Sequence, residues 1–305
     1  MKRDLVSMMD VKDDILQILD LATNLKNIQT ANEHREPLID KSLAMIFEKP
    51  STRTRVSFEV GMTQLGGHAL YLNTADLQLG RGETIADTAR ALSRFVDAIM
   101  YRGFEHSKTL ELAQNASVPV INGLDDLEHP CQIVADLFTI LEKKNDLEGL
   151  RLAYLGDGNN VCNSLLLGCA MTSMNISVAC PDEYRPDEDI LRKAQEMAKE
   201  KDVTVEVLSS PDEAVIDADV IYTDVWVSMG EESQREAKLR VLAPYQVNEN
   251  IVAKAKEDCI VMHCLPAHRG EEITDGVMDG EKSVVFDQAE NRLHAQKAIL
   301  VHLLE

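Results

Sequence analysis

The stretch LAMIFEKPSTRTRVSFEVGMTQL, residues 43–65, changes from one hydrophobic pattern to another near its centre. Residues 43–47 form a short apolar run, which is typical of a buried strand. Residues 52–65 place Phe58 and Leu65 on one face of a helix, and a pair of glycines follows. A strand that leads directly into a helix is the repeating unit of parallel α/β sheets. The stretch therefore predicts an α/β fold with parallel strands.

The same alternation continues along the chain and predicts two doubly wound βα domains with parallel sheets, joined by long helices. The segment NDLEGL near residue 146 predicts the boundary, so the domains are 1–145 and 146–287, with the active site expected in the cleft between them. A last helix, 288–305, is expected to pack back on the first domain. The predicted strands are 43–47, 69–72, 98–101, 118–121, 151–155, 176–180, 203–207, 219–223 and 259–264. The predicted helices are 52–65, 84–95, 130–144, 160–173, 187–200, 211–217, 247–257 and 288–304.

Composition narrows the class of protein. The 305 residues are 45% hydrophobic and 27% charged, as in an ordinary globular protein, and no run of apolar residues is long enough for a transmembrane helix. A net charge of −21 argues against binding to nucleic acid or to an anionic membrane. The charge fits a well-solvated surface, or a host with a salty cytoplasm. The charged N-terminus and six cysteines without a CxxC pair predict a cytoplasmic protein with free thiols.

The turn between the first predicted strand and helix is rich in hydrogen-bond donors. Ser51, Thr52 and Thr54 supply hydroxyl groups, and Arg53 supplies a planar guanidinium suited to phosphate. The first turn of a helix adds free backbone N–H groups and the positive end of the dipole. A simple helix cap with solvated arginines is the alternative. No GxxxxGK[ST] motif occurs, so the turn predicts a phosphate site of another kind.

Five motifs together resemble the aspartate/ornithine carbamoyltransferase family. They are FEKPSTRTRVSFE (47–59), HPCQIVADLFTI (129–140), LGDGNN (155–160), DVWVSMG (224–230) and HCLPAHRG (263–270). The resemblance covers nearly the whole chain, and the motifs keep the order of the family. It implies carbamoyl transfer from carbamoyl phosphate to the side-chain amine of ornithine, which gives citrulline and phosphate in arginine metabolism. It also implies a homotrimer or a larger multiple of trimers, and no cofactor.

The resemblance also assigns residues. It implies catalytic roles for Cys264, Arg102, His129 and Asp224. Carbamoyl phosphate is expected to contact Ser51, Thr52, Arg53, Thr54, Gln78, Arg102, His129, Gln132, Cys264, Leu265 and Arg292. Ornithine is expected to contact Asn160, Asp224, Ser228 and Met229. Gln78 lies in a polar loop with two glycines, which the resemblance implies reaches the site of a neighbouring subunit.

Local sequence alone leaves other roles open for several of these residues. Arg102 follows an apolar strand and also fits a surface charge at the strand end. His129 and Gln132 stand at a helix entry, where they could cap the helix. Arg292 alone would be a solvated helix charge. Cys264 ends a hydrophobic strand, where it could be a nucleophile or a buried structural thiol. The resemblance implies instead that it lies beside the amine without a covalent intermediate.

The segment DVWVSMGEE, residues 224–232, holds three carboxylates and no cation before Arg235. Such a loop favours a substrate with an ammonium group over aspartate. Which ammonium of ornithine Asp224 faces stays open. Glu231 and Glu232 are interpreted as solvated loop surface.

Other functions remain as alternatives. The GDG of GDGNNV follows a predicted strand and partly fits a dinucleotide fingerprint, which would indicate a nicotinamide-dependent dehydrogenase, but Val161 occupies the third glycine position. A non-catalytic anion-binding subunit is a third class. Within the family, putrescine and N-acetylornithine are alternative substrates. His263, Cys264 and His268 fit no closed zinc site, so no metal is expected.

Overall fold

The computed structural model describes residues 2–33, 35–228 and 230–305, with the side chains of residues 80, 81 and 232 left out. The chain forms two compact units. The first unit contains the chain up to Phe138 together with Glu290–Glu305, and the second contains Thr139–Ala289. No helix in the described ranges is long and apolar enough to cross a membrane.

The first unit is built on a four-stranded parallel sheet with the strand order β2-β1-β3-β4. Its strands are β1 (Ser42–Phe47), β2 (His68–Asn73), β3 (Ala98–Arg102) and β4 (Val120–Leu124). Its helices are α1 (Ile15–Thr30), α2 (Thr52–Gln64), α3 (Ile85–Leu92) and α4 (His106–Asn115), with short 3-10 helices at Met8–Val11, Thr74–Asp76 and Gln78–Arg81. Helix α5 (Pro130–Lys144) starts in this unit and ends in the second.

The second unit is built on a five-stranded parallel sheet with the strand order β7-β6-β5-β8-β9. Its strands are β5 (Arg151–Leu155), β6 (Asn175–Ala179), β7 (Val205–Leu208), β8 (Val220–Thr223) and β9 (Ile260–His263). Its helices are α6 (Asn160–Met171), α7 (Glu188–Lys201), α8 (Pro211–Ala214), α9 (Arg235–Leu242), α10 (Glu249–Val252) and α11 (Asp275–Met278), with 3-10 helices at Asp182–Tyr184, Glu232–Gln234 and Ala243–Tyr245. Helix α12 (Val285–Leu304) starts here and ends in the first unit.

The predicted fold class is confirmed, because both sheets are parallel and each strand of the prediction exists. The central strands are buried along nearly their whole length, as their continuous apolar runs require. Two predicted helices are shorter than expected, since only Pro211–Ala214 and Glu249–Val252 are helical. The prediction missed α1, α4, α9 and the short α11. Helix α4 buries only Thr109 and Leu112, so its apolar periodicity is weak.

The turn between β4 and α5 is organised by one buried carboxylate, Asp125. Its Oδ2 accepts hydrogen bonds from the Thr109 hydroxyl (3.0 Å) and the Asn122 amide (2.8 Å), and lies 2.8 Å from His106 Nδ1. Its Oδ1 accepts from the backbone N–H of Glu128 at 2.9 Å. A buried carboxylate needs hydrogen-bond donors to offset its lost hydration, and here they fix the turn that leads into α5.

The His106–Asp125 pair makes stability depend on pH. The hydrogen bond to Asp125 raises the pKa of His106 above its usual value. The stabilisation is therefore fully present below the unfolded-state pKa of about 6.5 and is lost as pH rises through the folded-state pKa. We expect His106→Gln to lower the free energy of unfolding more at about pH 5.5 than at about pH 9. Urea melts at both pH values measure this, with the exposed His68→Gln as control. An equal loss at both pH values would contradict the role given to this pair.

Candidate active site

The anion site predicted from the sequence lies where β1 leads into α2. Ser51 caps α2 with an extended backbone, and its Oγ accepts from the backbone N–H of Thr54 at 3.3 Å. The helix-cap role is thus real for Ser51. Thr52 and Arg53 form the first turn of α2, where the backbone N–H groups and the helix dipole favour an anion.

Thr54 is the centre of a buried cluster in the first unit. Its side chain is fully buried, and its Oγ1 accepts from Arg292 Nη2 at 3.0 Å and from Arg102 Nη1 at 3.4 Å. Arg102 also donates to the carbonyl of Gly123 at 3.3 Å. Both guanidinium groups are almost completely buried, so neither is the solvated surface charge that local sequence allowed. Two guanidinium groups that converge on one hydroxyl beside a helix N-terminus concentrate positive charge there, which favours a bound anion.

Gln132 extends the cluster along α5. Its Oε1 accepts from Arg292 Nη1 at 2.7 Å, and its Nε2 donates to Asp136 Oδ1 at 2.8 Å. The side chain is buried, and both its oxygen and its nitrogen form hydrogen bonds. Gln132 therefore fixes the direction of the Arg292 guanidinium, a role that the capping alternative did not include.

His129 is buried beside the same cations. Burial, followed by the charges of Arg292, Arg102 and Arg53, lowers the pKa of His129 well below its usual value. The imidazole is therefore neutral near pH 7 and has one N–H to donate. A neutral histidine suits hydrogen bonding to a carbonyl oxygen on which negative charge develops.

The strand register explains why these residues meet. Arg102 is paired with Phe47 of β1 and with Leu124 of β4, so the carboxyl ends of three strands coincide. Side chains that follow parallel strands converge at that edge. Gln78 begins a short 3-10 helix and is exposed in the single chain.

The second unit carries a second polar cluster, centred on the buried Asp224. Asp224 Oδ2 accepts from Asn159 Nδ2 at 2.8 Å, and Oδ1 accepts from Cys264 Sγ at 2.8 Å. The register again explains the meeting, because Thr223 pairs with both Leu155 and His263, each the last residue of its strand. The residues just beyond these strand ends are therefore neighbours.

The turn after β5 approaches another chain segment very closely. A Cβ on Gly158 would lie 2.3 Å from the backbone nitrogen of Pro186, so only glycine fits. Asn159 follows and caps α6 by accepting from the N–H groups of Val161 and Cys162. Asn160, the residue expected to contact ornithine, is the first residue of α6 and is half-buried. The sequence interpretation missed Asn159, although an asparagine before a helix is a strong cap signal.

The segment after β9 is held by a buried histidine. His263 Nδ1 accepts from the backbone N–H of Leu265 at 2.9 Å, and its Nε2 lies 3.0 Å from Glu272 Oε1. Leu265 adopts a left-handed backbone conformation, with φ of 60°. Asp224, His263 and Cys264 bring ligand atoms within 4.8 Å of one another, but the bonds described above use both ring nitrogens of His263 within the protein.

The loop that follows Asp224 is only partly as expected. The backbone N–H of Ser228 donates to Glu231 Oε2 at 3.0 Å. Glu231 also accepts from Lys238 Nζ at 2.7 Å, so the interpretation of Glu231 as solvated surface is wrong. The cation comes from α9, which the sequence interpretation missed. Met229 and the side chain of Glu232 lie outside the described part of the structure.

These features define a class: a two-unit α/β protein with two buried arginines near a helix N-terminus in one unit and a polar carboxylate–thiol cluster in the other. Residues 3–142 match the family model for the carbamoyl-P binding domain of aspartate/ornithine carbamoyltransferase, and residues 148–303 match its Asp/Orn binding domain. The chain belongs to the aspartate/ornithine carbamoyltransferase family.

Known proteins from several organisms are similar over their full length. The ornithine carbamoyltransferase of Anoxybacillus flavithermus is 57% identical over 99% of this chain and 96% of its own. That of Picrophilus torridus is 57% identical over the whole of both chains. The solved structure of ornithine carbamoyltransferase from Pyrococcus furiosus superimposes with a TM-score of 0.96, is 54% identical, and covers 99% of this chain and 97% of that one.

The buried hydroxyl of Thr54 provides a test of the anion site. In Thr54→Val the two guanidinium groups lose their shared acceptor and can turn away from the helix N-terminus. We expect the affinity for inorganic phosphate to fall about tenfold to a hundredfold, the effect of a lost hydrogen bond to a charged group. Isothermal titration calorimetry measures this. Thr63→Val is the matched control, because Thr63 is exposed on the same helix. Equal affinity in the two variants would remove Thr54 from the site.

Proposed function

We propose that this protein is an ornithine carbamoyltransferase, which transfers the carbamoyl group of carbamoyl phosphate to the side-chain amine of L-ornithine. The products are L-citrulline and phosphate, and the reaction serves arginine metabolism in the biosynthetic or the degradative direction. The single observation that carries the proposal is the pair of buried arginines on Thr54 at the start of α2. Relatives that are 57% identical over the full length and named ornithine carbamoyltransferase support it.

In this proposal the first unit holds carbamoyl phosphate. Ser51, Thr52, Arg53 and Thr54 bind the phosphate group through the N-terminus of α2, and Arg102 neutralises its charge. Gln78 of a neighbouring subunit adds a further contact to the phosphate. Fixed donors aimed at charge that grows in the transition state are an efficient form of catalysis.

His129, Gln132 and Arg292 act at the carbamoyl end, where His129 donates to the carbonyl oxygen and Gln132 accepts from the carbamoyl nitrogen. Because Gln132 Oε1 accepts from Arg292 in the structure, the ligand would share that oxygen.

The second unit holds the amino acid. Asp224, Asn160, Ser228 and Met229 are proposed to bind ornithine, with Asp224 facing one of its ammonium groups. Two donors, from Asn159 and Cys264, fix both carboxylate oxygens of Asp224, which keeps the side chain in one orientation. Cys264 and the carbonyl of Leu265 are proposed to contact the reacting amine and carbamoyl group.

The chemical step needs no covalent enzyme intermediate. The neutral amine attacks the carbonyl carbon, and its lone pair forms the new C–N bond. The C–O bond to phosphate then breaks, phosphate leaves with the bonding electrons, and one amine proton passes to phosphate or to solvent. Only the neutral amine is nucleophilic, so the substrate ammonium must lose its proton before the attack. In the proposal Asp224 orients the substrate during this step.

Putrescine and N-acetylornithine are chemically close alternatives as substrates. A panel of ornithine, putrescine, N-acetylornithine and aspartate with carbamoyl phosphate, with product detected by mass spectrometry, tests the proposal. We expect efficient turnover of ornithine alone.

In Arg53→Ala we expect the carbamoyl-phosphate kcat/KM to fall by about tenfold to a hundredfold. The exposed Arg90→Ala is the control. Absence of citrulline from the parent protein, or parental kinetics in Arg53→Ala, would contradict the proposal.

We also propose that residues 1–145 form the carbamoyl-phosphate domain, that residues 146–287 form the ornithine domain, and that the enzyme is a cytoplasmic homotrimer or a multiple of it. Six free cysteines support a reducing compartment. The exposure of Gln78 in the single chain supports a role at the site of a neighbouring subunit.

Mixed trimers test the role of Gln78. If each site takes Arg53 from one chain and Gln78 from the next, every trimer that mixes Arg53→Ala with Gln78→Ala contains one intact site. Random 1:1 mixing gives about three-quarters mixed trimers, so about a quarter of parental activity should return after subunit exchange. The assay requires that each variant alone is nearly inactive. With exchange verified by mass spectrometry, a mixture as inactive as its components would show that Gln78 acts within its own chain.

A further inference from the structure

Helix α9 contains a lysine whose environment differs from that of its neighbours. Arg235, Glu236 and Arg240 are exposed, whereas Lys238 is buried with 2% of its surface accessible. Burying an ammonium group costs free energy unless carboxylates and hydrogen bonds compensate for the lost water. The position of Lys238 therefore depends on its partners.

Those partners are two carboxylates from different segments. Lys238 Nζ lies 2.7 Å from Asp157 Oδ2 and 2.7 Å from Glu231 Oε2, and its ammonium stands 5.2 Å from the Tyr184 ring centre. Burial acts to lower the pKa of Lys238, but Asp157 and Glu231 outweigh it and raise the pKa. The ammonium is thus charged and satisfies both carboxylates.

Each partner belongs to a segment that is proposed to hold ornithine. Asp157 lies between β5 and the start of α6, close to Asn159, which donates to Asp224. Glu231 uses the oxygen that contacts Lys238 to accept from the backbone N–H of Ser228 as well. One ammonium group therefore connects Asp157, just before α6, to Glu231, which also holds the backbone N–H of Ser228.

We propose that Lys238 is a positioning residue that ties Asp157 to Glu231, and through Glu231 to Ser228, in the arrangement that binds the amino-acid substrate. The inference rests on the proposed function. It also changes the meaning of the acidic loop: the charge of Glu231 is neutralised within the protein, so Glu231 does not serve as a site for the substrate ammonium. Asp224, which accepts from the Asn159 amide and the Cys264 thiol and pairs with no cation in those two bonds, is the carboxylate proposed for that role.

The first test separates substrate affinity from turnover. In Lys238→Met, two carboxylates lose their common cation and the two segments separate. We expect the KM for ornithine to rise about tenfold or more, while the KM for carbamoyl phosphate stays within about twofold. Lys238→Arg, which keeps the charge, should restore most of the affinity. Lys256→Met is the matched control, because Lys256 also pairs with a buried aspartate, Asp219, at 2.8 Å, and should leave the ornithine KM within about twofold.

The dependence of ornithine kcat/KM on pH is a second measurement, which a loss of protein stability alone would not change. Burial raises the pKa of Asp157 to about 6, although Lys238 opposes the shift. Without the lysine this pKa rises further, because the opposing cation is gone. Ornithine kcat/KM already falls with decreasing pH as the substrate amine gains its proton, and protonation of Asp157 adds a second, steeper loss. This second loss should begin at a higher pH in Lys238→Met than in the parent protein. An unchanged ornithine KM and an unchanged acid limb in the folded variant would overturn the inference.

A second variant tests the positioning role of Lys238 if Lys238→Met does not fold. Glu231→Gln keeps an oxygen for the Ser228 N–H but removes the charge that holds Lys238. An increase of about fivefold or more in the ornithine KM supports the inference, and a value within about twofold of the parent overturns it. Failure of the proposed function itself would be seen differently, as a parent protein that forms no citrulline, and the inference would fail with it.

Discussion

The parallel direction of the strands is the constraint on which both polar clusters depend. In a parallel sheet all carboxyl ends lie at one edge, so residues far apart in the chain follow their strands into the same region. Arg102 stands beside Phe47 because β3 pairs with β1 in register. Asp224 and Cys264 meet because β8 and β9 end together. An antiparallel neighbour would carry its following residue to the opposite edge.

The polar cluster of the first unit is built around two arginines, whereas that of the second unit is built around the carboxylate of Asp224. In the first unit, two arginines donate to one threonine hydroxyl, and one of them also donates to a glutamine amide oxygen. The neighbouring cations help to keep His129 neutral, so it can donate without adding charge. In the second unit a carboxylate accepts hydrogen bonds from an amide and a thiol. The first cluster concentrates positive charge inside a protein with a net charge of −21.

Much of the fold and part of the site could be predicted. Continuous apolar runs and helical periodicity predicted the strands and most of the long helices, because burial against a core imposes those patterns locally. Helix α1 was missed although Ile15, Ile18, Leu19, Ala22 and Leu25 follow helical spacing and are buried. The missed α4 and α9 bury few apolar residues and lack that signal. The Ser51–Thr54 turn was recognisable because helix caps and anion sites use residues that are adjacent in the chain. Glu231 was misinterpreted because its partner belongs to a helix that was not predicted.

The sequence by itself determined the α/β class, the helix start at Ser51 and the family, since each depends on neighbouring residues or short motifs. Only the tertiary structure decided which side chains meet. It joined Arg292 to Gln132, Asn159 to Asp224, and Lys238 to Asp157. The reason is that such contacts link residues from 65 to 160 positions apart, and no local pattern encodes the strand register and helix orientation that bring them within hydrogen-bond distance.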